Sequence, residues 1–346
     1  MTKCKLFVHL LNSIEVQTEH CKLLYRMKTQ KESHQMKPYL ICLLLLTTKL
    51  FAQQEKDSIF TFQYSDSITI TVDYAPHFNA KKSTQIVFFA LPNGNTTAQT
   101  MGKLLKEGDD WHYDIQHIKA QTKFVRNKLT SENMVVVYLE NKFKSWPLWK
   151  KTNKNYKELI VNLFDTTIKV LNIKKYNIHL SGHSGGGSLI FGYLQAVDKI
   201  PNNVKRISFL DSNYGYDSSY TQKISNWIKA SRSHLLTVFA YNDSVALYNN
   251  KPVVSATGGT WYRTRLMMQH LAKEFTFEKI EENGIEHFYA FNRQINVFLK
   301  SNFERKIYHT KQVELNGFIH SILLNTRFEE NDYLYYGVRA YSLFIE

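Results

Sequence analysis

Ser184 lies in the run Gly182-His183-Ser184-Gly185-Gly186. Glycines two residues to either side suit a serine hydroxyl that must project from a very tight turn, where it can act as a nucleophile. The flanking residues supply the two arms of that turn. Tyr176-Asn177-Ile178-His179-Leu180-Ser181 alternates as a strand does, with Ile178 and Leu180 on one face. Beyond the serine, Leu189, Ile190, Tyr193, Leu194 and Val197 fall on one helical stripe, and Pro201 follows it. A helix that begins at the serine aims its free N–H groups at negative charge developing there.

Other segments carry residues suited to binding. Trp111-His112-Tyr113, Trp146-Pro147-Leu148-Trp149 and Gly258-Gly259-Thr260-Trp261-Tyr262 are rich in aromatics. Trp146, Trp149 and Trp261 are the candidates for stacking on a sugar or an aromatic acyl group, although core or lid packing is the commoner role of such rings. No grouping of His, Cys, Asp and Glu reads as a metal site and no Gly-rich phosphate loop occurs, so neither a metal nor a cofactor is expected.

The chain has 346 residues, is 43% hydrophobic and is rich in Tyr and Phe, enough to bury a full core. Its formal charge of +14 falls to about +9 when residues 1–52 are set aside. The remaining bases are scattered and no nucleic-acid motif accompanies them, so a nucleic-acid partner is not expected. The sequence leaves the oligomeric state open.

Residues 36–52 read as a targeting segment. Met36-Lys37 precedes the apolar run Pro38-Tyr39-Leu40-Ile41-Cys42-Leu43-Leu44-Leu45-Leu46, and Leu50-Phe51-Ala52 ends it. That pattern predicts a secretory signal peptide over 36–52, cleaved after Ala52, in a run too short for a stable membrane span. Residues 1–35 are then an upstream extension outside the fold, and the location is secreted or periplasmic. All three cysteines, Cys4, Cys21 and Cys42, precede Ala52, so the mature domain over 56–346 has neither disulfides nor a thiolate.

Within that domain, 59–64 and 68–72 read as a hairpin around Ser65-Asp66-Ser67. Continuous apolar strands follow at 86–91 and 134–139, with helices at 112–128 and 155–171. Strands are expected at 206–210 and 235–241, then a hairpin over 275–290 around Asn283-Gly284. A helix at 291–301, a strand at 306–313 and a final helix ending at 340–344 complete the reading. Antiparallel strands followed by alternating strands and helices predict a mostly parallel sheet covered on both faces.

The order of elements and the turn at 182–186 resemble the alpha/beta-hydrolase family over most of 58–346. The resemblance implies an α/β fold with a mostly parallel central sheet, an antiparallel N-terminal hairpin and helices on both faces. It also implies a Ser–His–acid triad in the chain order Ser, acid, His. Ser184 is then the nucleophile. Asp243, after the strand 235–241, is the acid, with Asp211 as the alternative. The base is His320, near the chain end after Asn316-Gly317, or alternatively His287, which the hairpin would place mid-strand. Gly185 supplies one oxyanion N–H, and the second donor comes from Asn93, Gly94 or Asn95 in the loop after 86–91, which lacks the family's His-Gly-Gly form. The activity so implied is a serine hydrolase, carboxylesterase-like or peptidase, acting through an acyl-enzyme on a small-molecule, glycan or peptide ester. A catalytically inactive relative that binds a glycan or cell-wall ligand is the alternative.

Overall fold

The computed structural model describes residues 58–75 and 77–346, so the predicted leader, its cleavage position and the three cysteines lie outside the described residues. Lys56–Glu346 forms one compact unit. Its strands and helices run β1 (Ser58–Ser65), β2 (Ile68–Tyr74), β3 (Thr84–Ala90), α1 (Thr97–Met101), α2 (Ile118–Lys128), β4 (Asn133–Asn141), α3 (Trp146–Thr152), α4 (Tyr156–Leu171), β5 (Tyr176–His183), α5 (Gly187–Ala196), β6 (Val204–Leu210), α6 (Thr221–Ala230) and β7 (Leu235–Tyr241). A small ribbon, β8 (Leu247–Tyr248) and β9 (Lys251–Pro252), precedes α7 (Thr260–Leu271). The chain closes with β10 (Phe277–Glu282), β11 (Ile285–Ala290), β12 (Ile295–Lys300), α8 (Lys311–Glu314) and α9 (Gly317–Leu323).

Ten strands form one sheet in the order β1-β2-β4-β3-β5-β6-β7-β12-β11-β10. The six central strands, β4 through β12 in that order, are parallel, and antiparallel pairs flank them on both sides. The period of two along each strand divides the core. Val135, Val137 and Leu139 of β4 face one layer with Leu163, Phe164, Leu189 and Leu194 from α4 and α5. Met134, Val136 and Tyr138 face the other, with Phe124 of α2 and Phe318 and Ile322 of α9. A sheet buried on both faces explains why its strands read as unbroken apolar runs.

Parallel pairing aligns the carboxyl ends of the strands. Ala90 of β3 sits opposite Gly182 of β5, His183 opposite Leu210 of β6, and Tyr241 of β7 opposite Lys300 of β12. The segments that follow these residues therefore emerge at one edge, where ligands bind in such sheets.

The sequence reading of the C-terminal part needs correction. Residues 295–300 form β12, inserted beside β7, instead of the expected helix at 291–301. Residues 306–313 form a loop that leads into α8 instead of a strand, and Ser342–Phe344 forms only a single 3-10 turn. The 112–128 element divides into a 3-10 turn at Trp111–Asp114 and α2.

One charged pair anchors the antiparallel edge of the sheet. Arg126 of α2 donates from Nη1 to Asp73 Oδ1 at 2.7 Å, with Nη2 on the Asp73 carbonyl, and both side chains are almost fully buried. Replacing Arg126 removes the charged partner of this buried carboxylate. Arg126→Met is expected to lower unfolding free energy by about 3–5 kcal/mol, read from urea denaturation of the domain.

Candidate active site

Ser184 has φ 53, in the left-handed region that a residue with a Cβ seldom enters. The chain leaves β5 at His183, passes through a 3-10 turn at Ser184–Gly186 and enters α5 at Gly187. The turn is tight because β3 lies directly beneath it. A Cβ at Gly186 would come within 2.2 Å of the Ala90 carbonyl oxygen, so only glycine fits there. Ser184 is half-buried.

The nearest strand end supplies an acid. Asp211 follows Leu210, the partner of His183, and is itself fully buried. Its amide donates to the Phe239 carbonyl at 2.9 Å, and its φ of 47 turns the side chain off the sheet edge. One carboxylate oxygen, Oδ2, meets His309 Nδ1 at 2.5 Å. The other, Oδ1, accepts the Thr260 hydroxyl of α7.

His309 sits on the loop after β12, which Asn302 folds into place. The buried Asn302 carboxamide donates to the Asn242 and Lys306 carbonyls at 2.9 and 2.8 Å and accepts the Lys306 N–H at 3.0 Å. The His309 ring then stacks on that of His183, with centroids 4.6 Å apart. His183 Nε2 donates to the His309 carbonyl at 3.3 Å. Complete burial keeps the His183 imidazole well below its ordinary pKa, so it is a neutral platform beside Ser184. With Nδ1 committed to Asp211, His309 keeps Nε2 as the atom that can exchange a proton, and about a quarter of its side chain is exposed.

Ser184 after β5, Asp211 at the end of β6 and His309 after β12 thus gather at the carboxyl edge of one parallel sheet. The chain has the alpha/beta-hydrolase fold. No family model matches the sequence, and no curated sequence relative is found. Solved structures of similar shape include a feruloyl esterase module from Clostridium thermocellum complexed with sinapinate, at 10% identity and TM-score 0.47, covering 83% of this chain and 88% of that one. A siderophore hydrolase from Aspergillus nidulans is similar at 10% identity and TM-score 0.40, covering 86% and 100%. A thermostable esterase is similar at 14% identity and TM-score 0.43, covering 73% and 58%. At such identities the likeness is one of fold, and the chemistry rests on this chain's own residues.

A cavity of about 420 Å³ opens at Ser184 and Gly185, bordered by Asn93, Pro147, Ser212 and Tyr214. The Asn93 carboxamide packs over Gly185, so close that a Cβ there would lie 2.0 Å from Oδ1. Gly94 is differently employed: its N–H is donated to the Lys144 carbonyl at 2.8 Å, and its φ of 83 serves the turn. Of the residues expected in the oxyanion hole, Asn93 and Gly185 therefore reach the cavity, and Gly94 instead ties two loops together.

The histidines expected from the sequence are elsewhere. His287 lies in the middle of β11, opposite Phe298, with Nε2 3.0 Å from Asn296 Oδ1. It is four strands from β5, about 19 Å at the usual strand spacing. His320 is buried in the core beneath the sheet, stacked on Tyr335 and edge-on to Phe298, with Nδ1 3.1 Å from the Tyr333 hydroxyl. His309 was hidden because 306–313 reads as a strand, in which a lone histidine carries no signal.

Asp243, the expected acid, is buried against the first turn of α7. It accepts the N–H of Thr260 at 2.7 Å on Oδ2 and that of Trp261 at 3.3 Å on Oδ1. It caps this helix, while Asp211, the alternative, holds the histidine. The tryptophans do not border the cavity. Trp146 and Trp149 are each 1% exposed and pack edge to face at 5.5 Å, and Trp149 Nε1 donates to Ser67. Trp261 packs half-buried on the core with Arg265 over its ring.

Burial pushes the His320 pKa down to about 3. The unfolded chain takes up that proton below about 6.5, so stability must fall as pH drops through 6.5 towards 3. His320→Phe is expected to flatten this acid limb, measured as urea midpoints between pH 4 and 7.

Proposed function

We propose that this protein is a serine hydrolase that cleaves an ester, or an activated amide, through Ser184, His309 and Asp211. The observation that carries the reading is the His309–Asp211 contact beside a strained serine on the β5–α5 turn. His309 Nε2 takes the Ser184 proton as Oγ attacks the carbonyl carbon, and returns it to the departing alkoxide or amine. Asp211 fixes the tautomer with the proton on Nδ1 and stabilises the imidazolium. The Gly185 N–H and Asn93 face the oxyanion of the tetrahedral intermediate. Water, deprotonated by the same imidazole, then releases the acyl group and regenerates Ser184.

Serines, glycines, Asn93, Pro147 and Tyr214 border the cavity of about 420 Å³. That lining favours a compact acyl group over a long aliphatic chain. Of the aromatic loops and basic charge that motivate the glycan-binding alternative, Trp146 and Trp149 are core residues and so give it no support.

Ser184→Ala and His309→Ala are expected to lower p-nitrophenyl acetate turnover by at least about 10³-fold, and Asp211→Asn by about 10⁴-fold. Ser184→Ala should also lose fluorophosphonate labelling. His287→Asn and His320→Phe are expected to stay active, and an active His309→Ala enzyme would overturn the assignment.

Export through the leader is part of the same reading, with Met36 as the start and cleavage after Ala52. N-terminal sequencing of the native protein is expected to begin at Gln53, and a peptide from residues 5–26 in the mature form would contradict it.

A further inference from the structure

Two buried carboxylates meet at one hydroxyl, yet the triad uses only one of them. Thr260 Oγ1 donates to Asp211 Oδ1 and lies 3.2 Å from Asp243 Oδ2. Thr260 and Asp211 are fully buried and Asp243 is 1% exposed. A threonine hydroxyl has a single proton. It can satisfy one carboxylate fully, and the other then gains a hydrogen bond to the same oxygen only by being protonated. Space around the pair has been cleared for this contact: a Cβ at Gly259 would lie 2.3 Å from both Asp243 oxygens.

We propose that Asp243 is a positioning residue for the Asp211–His309 pair, acting through the Thr260 hydroxyl and setting the pH at which His309 becomes an effective base. The inference rests on the triad reading above. With Asp243 neutral, Thr260 gives its proton wholly to Asp211, and one negative charge faces His309. With Asp243 ionised, the hydroxyl is shared between the two carboxylates, and the Asp211 carboxylate that meets His309 keeps more of its negative charge. The titratable groups facing Asp243 are Asp211, Tyr214 and Tyr241 at the ends of β6 and β7. From α7 it meets N–H groups and the Thr260 hydroxyl. The arginines of that helix turn elsewhere, Arg263 to the Tyr216 carbonyl and Arg265 over Trp261. Burial, then the Asp211 charge, raises the Asp243 pKa to about 6, so its change of charge falls in the range where a histidine base titrates.

Asp243→Asn keeps an oxygen that can cap α7 but removes the charge. It is expected to move the acid limb of the kcat/KM–pH profile down by about half a unit or more, with p-nitrophenyl acetate as substrate. Thr260→Val is expected to lower kcat about tenfold at unchanged KM, and Thr260→Ser to restore it. A residue that only capped the helix would lower thermal stability and leave the acid limb in place. An unmoved limb in Asp243→Asn together with wild-type kcat in Thr260→Val would overturn the proposal. Should Thr260→Val fail to fold, the limb in Asp243→Asn decides alone. An active His309→Ala enzyme would instead remove the triad reading itself, so the two failures are distinguishable.

Discussion

The Asp211 carboxylate holds three separate parts of the chain together. It follows β6, grips the loop after β12 through His309 and reaches α7 through Thr260. A charge so fully enclosed is tolerable only when both oxygens are occupied. That requirement dictates the rest of the edge. The loop must return over β5, which brings its histidine onto His183, and α7 must begin where its first hydroxyl meets the acid. In the proposed triad, the strained serine would have no proton acceptor without this convergence.

Much of the framework was legible because it was local. The turn at Ser184 announces itself through glycines whose absence of side chain the packing of β3 demands. The stripes of α4 and α5 and the apolar runs of β3, β4 and β7 follow from burial on one face or two. The stretch from 291 to 344 departs from expectation for a physical reason. Ile295, Val297, Phe298 and Leu299 are all buried in β12, and a segment buried on both faces shows no period that separates strand from helix. Once that strand was lost, the loop behind it became a strand in the reading, and His309 vanished into it.

The acid and the tryptophans show a different limit. Asp243 and Asp211 both follow buried strands, and sequence order favours the later one. Which of them meets the histidine depends on where the loop after β12 carries His309, here onto Asp211 Oδ2, a tertiary fact with no local signature. Trp146 and Trp149 flank Pro147, in the first turn of α3, which does border the cavity. Aromatic richness correctly marked the neighbourhood, but the rings turned inward to the core while the proline took the edge.

The histidine is carried by a loop, residues 301–310, that no ladder of the sheet secures and that Asn302 holds with three hydrogen bonds. The serine, by contrast, is welded to the centre of a ten-stranded sheet. The two halves of the site therefore belong to regions of unequal local stability. In the proposed triad, opening of this loop would remove the base with far less disruption than loss of the fold, and the domain would fall silent while its core remained intact.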